Sequence, residues 1–172
     1  MATFIDSDGV LTEGDPWVLV DTHTCDQADT EITFTSQHGS TDYKKNWSQY
    51  ADLILLINGR SDASRQEDHV RIKFENKASA YWIQATYMLT AYDGSGKWVG
   101  AQGESGRLTA GSAGANERGF QRIEMFDINS GKYKTVYSRY SQAQATTPAT
   151  GIYSFTWADT SDGMLSVEAI SE

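Results

Sequence analysis

Apolar and polar residues alternate along this chain with a period of two, most clearly between Tyr50 and Trp82. Leu53 to Ile57 is a short unbroken apolar run closed by Asn58-Gly59. It is too short for most helices and predicts a strand buried on both faces. Arg60 to Asp68 carries charges of both signs and no large apolar residue, which predicts a solvated loop. From His69 to Glu75 the pattern is regular, with Val70, Ile72 and Phe74 on one side and His69, Arg71, Lys73 and Glu75 on the other. Successive side chains of a strand point to opposite faces, so this segment reads as a half-buried strand.

The same reading extends over the rest of the chain. Trp17 to Asp21 is the first expected strand, after an acidic N-terminal arm over residues 1–16. Glu31 to Thr35 follows, with Ile32 and Phe34 inward. Ile83 to Tyr92 is a long strand candidate, since its β-branched and aromatic residues favour strand over helix. Asp93-Gly94-Ser95-Gly96 is a hairpin-turn signal with its return strand over Lys97–Ala101. Gln102 to Gly119 is rich in glycine, serine and alanine and reads as a long loop. Alternation resumes over Gln121–Asp127 (Ile123, Met125), Lys132–Arg139 (Tyr133, Thr135, Tyr137), Ile152–Trp157 (Tyr153, Phe155, Trp157) and Met164–Ile170, with a polar loop over Gln142–Thr150. About ten short strands separated by turn signals predict an all-β chain, an antiparallel β-sandwich of jelly-roll type, as one domain over residues 17–172.

Composition narrows the function. A length of 172 residues with 39% hydrophobic and 12% aromatic residues supports a core without metals or disulfides. A net charge of −9 argues against direct nucleic-acid binding, which needs a basic face. Cys25 is the single cysteine, so no intrachain disulfide forms. No basic segment followed by an apolar run opens the chain, and no apolar run reaches membrane-spanning length; neither a signal peptide nor a membrane partner is expected.

Candidate chemistry is sparse. Phe4-Ile5-Asp6-Ser7-Asp8-Gly9-Val10-Leu11-Thr12 resembles the first motif of haloacid-dehalogenase-like phosphatases. That resemblance would make Asp6 the nucleophile and Asp8 the acid/base, with Mg²⁺ nearby. The family needs strands alternating with helices, which the downstream pattern lacks, so an acidic turn is the simpler reading. Asp6, Asp8 and Glu13 do not fit a calcium loop, because Gly9 falls at the wrong position. Asp62, Glu67 and Asp68 are balanced by Arg60 and Arg65. His23, Cys25 and Asp26 have too few companions for a zinc site. Gly94-Ser95-Gly96-Lys97 lacks the earlier glycine of a phosphate loop. No catalytic residue, metal site or cofactor site is assigned. Most of the five tryptophans are expected in the core; Trp98, beside a turn signal, is the candidate for exposure and for stacking on a glycan.

One order of features is familiar. A Trp17-Val18-Leu19-Val20 strand is followed by Glu31-Ile32-Thr33-Phe34, then Tyr50-Ala51-Asp52-Leu53-Ile54-Leu55 and Asn58-Gly59-Arg60. Next come Val70-Arg71-Ile72-Lys73-Phe74-Glu75-Asn76 and Tyr81, then Arg122-Ile123-Glu124-Met125 and Lys132-Tyr133-Lys134-Thr135. This resembles the small jelly-roll virion proteins of tailed bacteriophages, found as capsid cement or decoration proteins and in tail structures. The final strand, Val167-Glu168-Ala169-Ile170, departs from the closing strand usual there. The resemblance implies a non-enzymatic protein on the outer surface of the head, assembled in the host cytoplasm, with the major capsid protein as partner and a homotrimer as its own assembly. Phe4, Ile5 and Leu11 of the arm are the expected capsid contacts. The alternative is a receptor- or glycan-binding tail or fibre module.

Overall fold

The computed structural model describes residues 18–25, 31–37, 46–74, 81–89, 93–144 and 148–158, and the backbone of 166–171. Within them the chain forms ten strands and a single 3-10 turn at Trp47–Gln49. In chain order the strands are β1 (Glu31–Thr35), β2 (Leu53–Gly59), β3 (Glu67–Phe74), β4 (Tyr81–Leu89), β5 (Asp93–Gly100), β6 (Gly103–Thr109), β7 (Gly119–Phe126), β8 (Lys134–Gln142), β9 (Ala149–Trp157) and β10 (Ser166–Ser171).

They make two sheets. One has the order β1-β10-β3-β6, the other β2-β7-β8-β9-β4-β5. Every strand pair is antiparallel. The pairings are nested: β4 with β5, β3 with β6, β2 with β7 and β1 with β10. β8 and β9 are inserted in the larger sheet between β7 and β4.

The alternation builds the core. Asp68, Val70, Ile72 and Phe74 of β3 are buried while the residues between them are half-exposed. Tyr153, Phe155 and Trp157 of β9 and Ile123 and Met125 of β7 are also buried. Phe74 links the sheets, with its ring 5.3 Å from Trp157, 6.1 Å from Phe155 and 6.1 Å from Tyr81. Its backbone N–H donates to the Tyr81 hydroxyl at 2.8 Å. The result is an all-β, sandwich-like fold with one shared core.

Several expectations are corrected. Residues 18–21 form no strand; Leu19 is exposed and Val20 packs on the core. The 102–119 segment is not a loop throughout, because β6 runs through it and is largely buried. Its glycines let β6 approach the larger sheet closely: Gly103 lies against the Phe155 ring, and Gly106, at φ +141°, against Gln121 and Tyr140. Asp93-Gly94-Ser95-Gly96 is the start of β5, paired with Ala85 to Met88, and not a turn. β2 is an edge strand with Leu56 61% exposed, so it is not buried on both faces.

The Arg60–Asp68 stretch is also less solvated than its charges predict. Ser61 and Asp68 are buried and joined by a 2.7 Å hydrogen bond. Arg60 donates to the carbonyls of Gly111 and Gly114, each at 2.8 Å. The charged residues here satisfy the backbone of a neighbouring turn, a role that composition does not reveal.

Candidate functional site

The outward faces of the two sheets differ in kind. On the smaller sheet, β1 and β3 present Glu31, His69, Arg71 and Lys73. Lys73 lies 3.8 Å from Glu31, and His69 Nδ1 lies 2.7 Å from Glu104 Oε1. The described outward side chains of β1 and β3 are thus polar, and two ion pairs involve them.

On the larger sheet the register sets outward residues in rows from β2 to β5. One row is Ile54, Glu124, Tyr137, Ser154, Gln84 and Lys97; the next is Leu56, Arg122, Arg139, Ile152, Thr86 and Ser95. On the other side stand Phe126, Thr135, Thr156, Trp82 and Val99. The middle is charged: Glu124 Oε1 is 3.0 Å from Arg122 Nε and 3.6 Å from Arg139, whose guanidinium lies 5.9 Å from the Tyr137 ring centroid.

The two ends are apolar. At the β2–β7 end, Leu56 and Phe120 are 61% and 46% exposed. They are diagonal neighbours across the strand pair, since Asn58 faces Phe120 and Leu56 faces Arg122. At the β4–β5 end, Trp82 is 52% exposed and Val99 68%. Tyr133, just before β8, meets Trp82 edge to face, with centroids 5.9 Å apart and planes at 87°. Beside them is an open concavity of about 500 Å³, lined among others by Trp82, Gln84, Lys97, Thr135, Ser154 and Thr156.

A second cluster lies inside. Arg107 of β6 ion-pairs with Glu67 of β3, and Gln142 Nε2 donates to the other oxygen of Glu67 at 3.1 Å. The Arg107 guanidinium lies 5.0 Å from the Tyr87 ring centroid. Burial pushes the Tyr140 phenol up to about 12 and raises that of Tyr153 as well. Burial also disfavours the Arg107 cation, but Glu67 and the tyrosines outweigh it and hold its pKa above the ordinary arginine value. The charges here are mutually compensated. The cluster fastens β6 over β8 and β9 and offers no nucleophile beside a base.

The structure scatters the acidic residues singled out by sequence. Asp68 accepts from Ser61 and His69 N and pairs with Arg65, whereas Glu67 faces Arg107. Among the described residues no group of three or more His, Cys, Asp and Glu could hold a metal ion. Phe4, Ile5, Leu11, Asp6 and Asp8 lie outside the described residues. The doubly wound fold that an Asp6/Asp8 phosphatase needs is not the fold of the described residues, whose sheets are antiparallel throughout.

Trp98 is 36% exposed and lines the concavity. Its register partner is the buried Ile83, and its ring packs edge to face on Tyr153, with centroids 6.4 Å apart. Trp82, assigned to the core by composition, is the more exposed tryptophan. The alternation carries a signal for it: Trp82 alternates with Tyr81 and Ile83, so only one of the two sets faces inward. Comparison of the chain with family models, with curated proteins and with solved structures gives no match.

Proposed function

We propose that this chain is a non-enzymatic structural protein of a tailed-phage virion, a cement or decoration protein on the outer surface of the head. The observation that carries the proposal is the contrast between the two outward faces. On the smaller sheet the described outward side chains of β1, β3 and β6 are polar and include the Lys73–Glu31 and His69–Glu104 pairs. The larger sheet instead leaves Leu56 and Phe120 side by side in solvent at its β2–β7 end. Clustered apolar side chains of this kind mark a protein contact.

The strand order supports the resemblance drawn from sequence. Four nested antiparallel pairs that lie alternately in one sheet and the other are what a long hairpin rolled into a jelly roll produces. On this reading β8–β9 is an insertion that widens one sheet from four strands to six. The finer elements of the proposal are a jelly roll with an arm at residues 1–16, contacts to the major capsid protein through that arm (Phe4, Ile5, Leu11) and through Leu56 and Phe120, and a homotrimer. Three copies of a modest contact on one closed assembly give avidity. Binding only the mature lattice then stabilises that lattice by mass action.

The test is cosedimentation of the purified protein with coat lattices before and after expansion, followed by electron microscopy. Saturable binding to the expanded lattice, lost in a Leu56→Glu/Phe120→Glu double variant that keeps the wild-type melting temperature, is the expected result. Failure to bind either lattice overturns the reading.

A further inference from the structure

We propose that the concavity beside Trp82 is a saccharide site, and that it takes a sugar bearing a carboxylate. Three features carry this. The first is the platform. Trp82 is 52% exposed on a sheet strand, and Tyr133 holds it edge-on at 5.9 Å. A rigid exposed indole presents a flat apolar face with little rotamer freedom to lose, which suits the C–H face of a pyranose ring.

The second feature is the set of polar groups around it. Register places the Thr135, Thr156 and Ser154 hydroxyls and the Gln84 amide on the same side of the sheet as Trp82. Together they line the concavity. Hydroxyls and amides both donate and accept, as a ring of sugar hydroxyls requires. A purely apolar ligand would leave them unpaired.

The third feature is charge. Among the described residues Lys97 is the one charged side chain that lines the concavity, and it makes no ion pair with any of them. On a chain of net charge −9, a lone cation in a concave site selects an anionic group from solution. The volume of about 500 Å³ is that of an ordinary small-ligand site and holds one or two sugar rings.

The site is separate from the proposed capsid contact. Trp82 and Phe120 stand on strands three places apart in the sheet, about 14 Å at the usual strand spacing. The two proposals therefore fail independently.

The experiment titrates the full chain with 3′-sialyllactose and a galacturonic acid trisaccharide, using lactose and cellotriose as neutral controls. Tryptophan fluorescence and calorimetry read the binding. Acidic saccharides are expected to bind at least tenfold more tightly than the neutral ones. Trp82→Ala should abolish binding, and Lys97→Gln should remove most of the preference for acid, with thermal melts unchanged in both. Thr156→Val, which keeps the shape and removes a hydroxyl, should weaken binding several-fold. Absence of binding to all four sugars overturns the proposal, as does binding that survives Trp82→Ala. Equal affinity for neutral and acidic sugars, untouched by Lys97→Gln, overturns the assignment of a carboxylate.

Discussion

Replacing Gly103 by alanine tests the packing of β6 against the larger sheet. A Cβ at this position would stand 2.4 Å from Cε2 of Phe155 and 2.5 Å from its Cζ. Favourable carbon contacts begin near ~3.5 Å, so ring or strand must shift by about 1 Å. Phe155 is 2% exposed, with Phe74 and Tyr81 at 6.1 and 6.0 Å between ring centroids. Its ring cannot turn aside without moving theirs. The cost is that of an overfilled core, about 1–3 kcal/mol. For a domain of this size each kcal/mol lowers the melting midpoint by about 2–4 °C. The assay is urea unfolding followed by tryptophan fluorescence, with Gly59→Ala as control, since nothing lies within 4 Å of a Cβ there. Gly103→Ala should lower the midpoint concentration with little change in slope, whereas Gly59→Ala should stay within about 0.5 kcal/mol of wild type. If the two variants behave alike, residue 103 lies in a solvated loop and the close packing of β6 is refuted.

Two further outcomes follow from the interior cluster. Burial raises the Tyr140 pKa from 10.0 to about 12, so the unfolded chain loses this proton first. Its contribution is complete below pH ~10 and falls by about 1.4 kcal/mol per pH unit as pH rises toward 12. Tyr140→Phe should flatten that part of the stability–pH curve measured by urea unfolding; an unchanged curve contradicts the burial argument. Arg107→Met should cost about 2–4 kcal/mol, because Glu67 loses its cation while remaining mostly shielded, its side chain 27% exposed. Adding Glu67→Met should restore part of that loss, with a coupling of at least ~1 kcal/mol in a double-mutant cycle read by thermal unfolding; simple additivity contradicts a direct ion pair.

Period-two patterning carried most of the fold. β1, β3, β4, β7, β9 and β10 are legible as alternating or β-rich segments, and the buried residues of β3 and β9 are the ones the alternation selects. Alternation reports which residues share a face, and a single sequence contains that directly. It also separates Tyr81 and Ile83 from Trp82 by local pattern alone. It cannot say which set is inward when both contain large apolar residues, so the exposure of Trp82 was not legible in the pattern.

Strand order, and with it the candidate site, came only from the tertiary structure. β6 is glycine-rich because the larger sheet approaches its backbone closely, and in sequence such a strand is indistinguishable from a loop. Leu53–Ile57 reads as a doubly buried strand, yet an apolar run looks the same whether or not the fold covers its second face, and here Leu56 is exposed. Trp82, Gln84, Thr135, Ser154, Thr156 and Lys97 come from four strands and are far apart in the chain; antiparallel register alone brings them to one concavity. The residues thus determined which side chains share a strand face, because that depends on local backbone geometry. Which strands are neighbours, and so which faces carry a site, depends on long-range pairing that no local pattern encodes.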